Sequence, residues 1–251
     1  MNKLSAIIIT LNEERNIERC LKSLQAVADE IIIVDSNSTD NTINICNKYK
    51  TKVIQQKWLG YSEQKNLGNN IAENDIILSV DADEALSEVL TQSILQLKKD
   101  GFSGAYKFNR LNNYCGKWIK HSSWYPDTKL RIWNKNDGKW QGDIHENVIL
   151  NKNISVSHLK GDLLHYSFYS IEEHVNVINK FSSFKAEALY KKGKKPNIIQ
   201  ILFKPLIKFF ITYFLKRGFM DGYYGYVISK NSAFSDHLKY VKLRELNKNA
   251  K

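Results

Sequence analysis

Four short apolar runs, beginning near residues 5, 30, 52 and 75, constrain this chain more than any other feature. They cover 5–10, 30–34, 52–55 and 75–80, one unit every two dozen residues or so, each long enough for a buried strand. Between the first two, Ile17, Cys20, Leu21 and Leu24 fall at the i, i+3, i+4, i+7 spacing of one helix face, and Asn12 is placed to cap that helix. Strand, helix, strand at this spacing joins into right-handed βαβ units. The expected fold class is therefore α/β, a Rossmann-like, mostly parallel sheet with helices on both faces.

The texture changes after about residue 102. Residues 104–110 and 129–133 read as strands of a less regular sheet, separated from the next strand by the turn residues 134–138. Ser170 and Glu173 form a capping-box pattern that opens a helix running to about Tyr190. Beyond Lys191 the chain becomes basic and apolar. The expected division is 1–102, 103–190 within the same domain, and a C-terminal amphipathic helical tail over 191–251.

Parallel α/β sheets bind ligands beyond the carboxyl ends of their strands. Acidic residues fall at three such ends: Glu13 and Glu14 after the first strand, Asp35 after the second, Asp81 and Asp83 after the fourth. Two aspartates in a loop are often only solvated or helix-capping. Here one ends an apolar strand, and Asp35 ends another ahead of the polar loop 36–42. Carboxylates repel a diphosphate unless a divalent cation lies between them. Mg²⁺ or Mn²⁺ takes one or two carboxylates together with phosphate oxygens and water.

The run Ile7-Ile8, Thr10-Leu11-Asn12-Glu13-Glu14, then Ile33-Val34-Asp35-Ser36 with Ser38-Thr39-Asp40, then Gln64-Lys65-Asn66 with Gly68, then Val80-Asp81-Ala82-Asp83-Glu84, resembles the family 2 glycosyltransferases of GT-A fold. The order and spacing of the four motifs carry the resemblance over residues 5–84. It implies that Asp35 binds a uracil ring, with Thr10 and Glu13 beside the nucleoside. It also implies that Lys65 lies by the donor phosphates, Asp81 holds ribose or metal, and Asp83 ligates the metal. From the residues alone, Lys65 is as well read as a surface lysine on a helix.

Four of the five tryptophans, Trp118, Trp124, Trp133 and Trp140, cluster in the second part of the chain. Such a cluster is either core or a cleft in which sugar rings stack. Trp118 and Trp124 are candidates for acceptor binding, as is Arg131, which with Lys129 offers charge-assisted bonds to acceptor phosphates. An acceptor hydroxyl needs a base as its bond to the sugar forms. In Gly142-Asp143-Ile144-His145-Glu146, Asp143, His145 and Glu146 could each serve; the resemblance points to Glu146, and because His145 stands where an acidic residue is common, Asp143 is the rival. Leu164-His165-Tyr166-Ser167 resembles the C-terminal histidine motif that completes metal coordination in this fold, which makes His165 a candidate ligand. Residues 165–184, with 131–133 and 145–146, narrow the resemblance to the branch that builds bacterial lipopolysaccharide core. It implies an inverting transfer of a hexose, glucose by resemblance, from a UDP-sugar to a core or other lipid-linked saccharide.

The formal net charge is +11, which points to an anionic partner. The charge concentrates in the tail: Lys191, Lys192, Lys194, Lys195, Lys204, Lys208, Lys216 and Arg217 stand in a stretch free of acids. Over 198–215 the polar positions Gln200, Lys204, Lys208 and Thr212 recur every four residues. That leaves one narrow polar stripe on a helix otherwise Ile, Leu, Phe and Tyr. A spanning helix would bury two lysines near its centre at about 2.5–3.5 kcal/mol each, and a core helix leaves the wide apolar face unexplained. An interfacial helix on an anionic membrane surface accounts for both. No nucleic-acid-binding motif is present. The odd set Cys20, Cys46 and Cys115 fits neither disulfides nor zinc, and the first apolar run is broken too early for a secretory signal. The expected location is cytoplasmic, peripheral on the inner face of the membrane. Two rivals remain: a non-catalytic surface-binding protein of this fold, and a nucleotidyltransferase, which would place a glycine-rich basic loop where Leu11-Asn12-Glu13-Glu14 stands.

Overall fold

The computed structural model describes residues 2–142 and 146–249. In chain order the first elements are β1 (Leu4–Thr10), α1 (Ile17–Leu24), β2 (Glu30–Asp35), α2 (Thr42–Cys46), β3 (Lys52–Gln55), α3 (Tyr61–Ile71) and β4 (Ile76–Asp81). There follow β5 (Glu84–Leu86), α4 (Glu88–Asp100), β6 (Ala105–Tyr114), β7 (Lys117–Ile119), β8 (Asp127–Asn134), β9 (Gly138–Gln141), β10 (Asn147–Leu150) and β11 (Val156–Phe168). Helices α5 (Ile171–Lys191), α6 (Ile198–Phe210) and α7 (Gly222–Asn249) complete the chain, with a π turn (Ile211–Leu215) and a 3₁₀ turn (Gly218–Asp221) between the last two.

The main sheet runs β3-β2-β1-β4-β8-β6-β11-β5. Its first four strands are parallel, and β8 joins β4 antiparallel. Alternate side chains of the parallel strands feed two cores. Leu4, Ala6, Ile8, Ile31, Ile33, Leu78 and Val80 pack with α1 and α4. Ile7, Ile32, Val34 and Ile77 pack on the other face with α3 residues Leu67 and Ile71 and with Trp133 and Trp140. Burial on both faces is why these strands read as continuous apolar runs rather than alternating ones. The fold is the α/β GT-A class, with a helical C-terminal tail.

Asn12 does not cap α1. It sits at a positive φ of 56° in the loop, its Oδ1 accepts a bond from the Thr39 amide, and the N-cap position belongs to Asn16. The turn after β1 is thus tied to the loop after β2 before the helix starts. The Ser170 capping box is present, both of its bonds made.

The chain divides into two compact units, Met1–Arg110 with Asp127–Tyr166, and Leu111–Pro126 with Ser167–Lys251. The division falls inside β6 and β11. In the second unit Tyr114, Ile119 and Ile228 form a small core against which Trp124 and Phe168 pack. His174 of α5 meets Asn231 of α7, Lys242 bonds to Asn179, Ser182 and Ser183, and Asn247 bonds to the Lys194 carbonyl. Partners advance together along both helices, so α5 and α7 run parallel. Helix α6 returns between them in sequence, and its ring of Phe209 reaches Tyr226 at the start of α7.

Candidate active site

Register places the acidic residues at one edge. Thr10 pairs with Asp35 and Ile9 with Asp81, so the ends of β1, β2 and β4 lie side by side. Asp35 is fully buried. Its carboxylate accepts bonds from Thr10 Oγ1 at 2.8 Å and the Ser38 amide at 2.8 Å, and from the Ser38 hydroxyl. Residues 36–42 are thereby folded over the strand end. Glu13 stands in the adjoining loop, its amide bonded to Thr42 Oγ1 at 2.8 Å.

Asp81 is the centre of an ion network. Lys65 Nζ lies 2.9 Å from its Oδ1, and Arg131 Nη2 donates to its Oδ2 at 2.9 Å. Burial works against the charged carboxylate, but the Arg131 and Lys65 charges and their hydrogen bonds outweigh it and hold Asp81 well below the usual carboxylate range. Lys65 is no surface lysine. It is 2% exposed, and its ammonium also bonds to Glu146 Oε1 at 3.0 Å and stands 4.4 Å from the centre of the Trp140 ring. Arg131 is equally buried. Its Nη2 is shared with Glu84 Oε1 at 2.9 Å, while Nε and Nη1 are buried with no hydrogen-bond partner among the described residues.

Glu84 is the organising residue that sequence reasoning passed over. It is buried, its Oε2 accepts the Asp81 amide at 2.9 Å, and its Oε1 takes Arg131 and, at 3.4 Å, Arg110. Its position directly after Asp83 was the available signal. It fixes the backbone between the two aspartates.

Asp83 turns to a different partner. Strand β5 pairs with β11 so that Glu84 faces His165, and His165 Nε2 lies 3.0 Å from Asp83 Oδ2. Burial raises the Glu13 carboxyl; an Asn16 hydrogen bond lowers it, and the charges of Asp83, Asp40 and Asp81 raise it further. One carboxylate and one imidazole meeting at a point, beside further carboxylates that repel one another, suit a divalent cation that completes its shell from phosphate and water. Among the described residues no three His, Cys, Asp or Glu side chains form a ready-made cage.

A cavity of about 370 Å³ opens over this network, lined by Asp81, Arg110, Lys129, Arg131, Trp140 and Glu146 among others. Glu146, Lys65, Asp81 and Arg131 are thus brought together. Asp143 lies outside the described residues. Trp118 and Trp124 belong to the second unit, where Trp124 stacks edge-on against Tyr114 with centroids 5.6 Å apart. Trp133 and Trp140 stack edge-on in the first unit's core, and Trp140 also reaches the cavity.

The model of glycosyl transferase family 2 matches residues 5–158, and that span takes in every element of this network except His165. The chain belongs to glycosyl transferase family 2. Over 98% of its length it is 36% identical to a glycosyltransferase of Rickettsia typhi, RT0209, covering 88% of that protein. It is also 28% identical to the lipopolysaccharide core biosynthesis glycosyltransferase LpsC of Rhizobium meliloti, over 96% of this chain and 91% of the relative. Among solved structures, S. aureus TarS 1–349 aligns over 99% of this chain and 92% of its own, at 17% identity and a TM-score of 0.49. As a family 2 member the chain is a glycosyltransferase.

Proposed function

We propose that this glycosyltransferase moves a hexosyl group, glucose by resemblance, from a UDP-sugar to a lipopolysaccharide-core or other lipid-linked saccharide, with inversion. The observation that carries the reading is Lys65, whose buried ammonium joins Asp81 to Glu146, two carboxylates that line one cavity. Family membership and the likeness to LpsC support the acceptor class.

On this reading residues 1–102 hold the donor and residues 103–190 the acceptor. Asp35, Thr10 and the loop they fold form the nucleoside side, with Glu13 beside it. Asp83 and His165 would hold Mg²⁺ or Mn²⁺, which when bound supplies positive charge to the leaving diphosphate. Glu146 takes the proton of the acceptor hydroxyl as its oxygen bonds to the anomeric carbon and the bond to UDP breaks. Lys65 and Arg131 fix Asp81, and Lys65 fixes the Glu146 carboxylate facing the cavity. Asp143 stays the alternative base.

Residues 191–251 dock the enzyme on the anionic cytoplasmic face of the membrane, where a lipid-linked acceptor resides. The support is the surface of α6 and the π turn. The stretch Ile198–Leu215 has a mean hydropathy of 1.7 and only 11% of it is buried. Its buried seam is Ile201 and Thr212, whereas Ile199, Leu206 and Leu215 are each more than 60% exposed. Lys208 and Thr212, two members of the polar stripe, adjoin the seam, and the apolar residues face outward. Lipid covers such a face without a protein partner.

Glu146→Gln tests the chemistry. The amide keeps the shape but cannot accept the proton. Turnover with UDP-glucose should fall on the order of 10²–10⁴-fold with UDP affinity little changed. Unaltered turnover, together with an inactive Asp143→Asn, moves the base to Asp143.

A further inference from the structure

Helix α5 ends at a left-handed glycine. Gly193 has φ +67°, its amide bonds to the Tyr190 carbonyl at 2.8 Å, and the Lys194 amide bonds to the Leu189 carbonyl at 3.0 Å. Pro196 and then Asn197, which makes a full capping box with Gln200, start α6 a few residues later. Because α5 and α7 run parallel, both of their C-termini come to this same end, and Asn247 Nδ2 pins the turn through the Lys194 carbonyl at 3.1 Å.

Here a basin of about 730 Å³ lies between the turn and the last turns of α7. Four cations line it, Lys191, Lys195, Arg244 and Lys248, with Tyr190 and Asn247, and no carboxylate is among the lining residues. None of the four cations makes a salt bridge among the described residues. Lys191 and Lys248 stand in the last turns of their helices and oppose the negative helix ends. Lys195 and Arg244 stand outside those turns, so helix ends do not account for them. Immediately along the chain the exposed apolar face begins, with Ile198 54% and Ile199 61% exposed.

A cationic basin bordering an outward apolar face is the arrangement that meets a lipid headgroup and its acyl chains together. We propose that the basin formed by Lys191, Lys195, Arg244 and Lys248 seats the phosphate of an anionic lipid headgroup. The guanidinium forks onto the phosphate oxygens and the lysines supply point charges. The inference rests on the membrane docking proposed above and adds a defined seat to it, which fixes how α6 lies on the surface.

The test is cosedimentation of the full chain with vesicles of phosphatidylcholine alone and of phosphatidylcholine mixed with phosphatidylglycerol. The variant Lys195→Gln/Arg244→Gln/Lys248→Gln is compared with Lys48→Gln/Lys50→Gln/Lys52→Gln, which removes equal charge from exposed lysines of the first unit. Phe203→Ser/Leu206→Ser reports on apolar docking, and thermal melts confirm that each variant folds. The basin variant should lose on the order of a hundredfold in affinity for the anionic vesicles. The control should stay within about twofold, and soluble glycerol phosphate should compete with the wild type. Equal losses in basin and control variants, or no competition by glycerol phosphate, overturn the seat while docking stands. Absence of wild-type binding to either vesicle overturns seat and docking together. Loss in Phe203→Ser/Leu206→Ser alone, with the basin variant unaffected, leaves docking apolar and removes the seat.

Discussion

Lys65 donates to Glu146 across 3.0 Å, although 81 residues separate them in the chain. The same ammonium holds Asp81 at 2.9 Å. A buried lysine between two carboxylates is costly to desolvate, and removing it strips Glu146 of its ammonium partner and leaves Asp81 to Arg131.

Lys65→Met should therefore destabilise the protein by about 3 kcal/mol and reduce turnover by on the order of 10²-fold. Lys65→Arg should recover most of the stability. Urea unfolding and single-turnover transfer measure the two effects. A variant with normal stability and normal turnover would show that the ion network neither supports the fold nor positions Glu146.

Asp83→Ala should abolish transfer without unfolding the chain, because the Asp83 carboxylate meets the His165 imidazole while Asp81 carries the ion pairs to Lys65 and Arg131. His165→Ala should weaken Mn²⁺-dependent stabilisation by UDP in a thermal melt without removing the fold. Near-wild-type turnover of Asp83→Ala with Mg²⁺ or Mn²⁺ would remove Asp83 from the metal assignment.

The second unit carries a pH-sensitive element. Burial pushes His174 down to about 4, and its Nδ1 lies 3.0 Å from the Tyr114 hydroxyl and 3.1 Å from Asn231 Nδ2. The unfolded chain binds a proton near the ordinary value of about 6.5. Between those two values the unfolded state is the more protonated, so stability rises with pH through that window. It is complete above about 6.5 and is lost as pH falls toward 4, by up to about 3 kcal/mol. His174→Gln should flatten this loss in chemical denaturation run from pH 7 to 4. An unchanged pH slope would mean that other groups set it.

Gly68 is the point where α3 meets the sheet. A methyl group there would come within 2.3 Å of Ile7 Cγ2 and 3.2 Å of Val34 Cγ2. Gly68→Ala gains helix propensity but forces the strand side chains aside, so a net loss of about 1–3 kcal/mol is expected. A stabilised variant would show that Ile7 has another rotamer to adopt.

The parallel half of the fold was legible because its inner strands β1, β2 and β4 are buried on both faces and their runs are almost wholly apolar, Ser5 and Ser79 being the polar exceptions within them. Glu30, Lys52 and Asp75 mark the strand starts, and the observed bounds differ by about one residue at most ends. The placement of Asp35, Asp81 and Asp83 at one edge followed from that register. What sequence reasoning could not supply was the division of labour inside the motif. Nothing in Asp81-Ala82-Asp83-Glu84 says that Asp81 faces Lys65 and Arg131 while Asp83 faces His165. Those partners arrive through long-range pairing of β8, β11 and α3. Arg131 read as an acceptor contact because its neighbours are tryptophans; its burial depends on Glu84, a residue of another strand. In the tail, four-residue spacing identified the stripe but not its direction. The seam with α7 takes Ile201 and Thr212, and a single helix considered alone contains no information on that choice.

The pairing of Glu84 with His165 has a consequence for the order in which the molecule becomes competent. Strands β1 to β5 leave the ribosome well before β11, which begins at Val156. A nascent chain that has folded its first hundred residues already presents Asp81 and Asp83, yet the imidazole that meets Asp83 is still unsynthesised. Strand β11 runs on into the second unit, where Phe168 closes against Cys115 through a backbone bond of 2.8 Å. Synthesis of the late strand therefore completes the Asp83–His165 pair and opens the assembly of the second unit in one event. A growing polypeptide has no Asp83–His165 pair until the segment leading into α5 has been made.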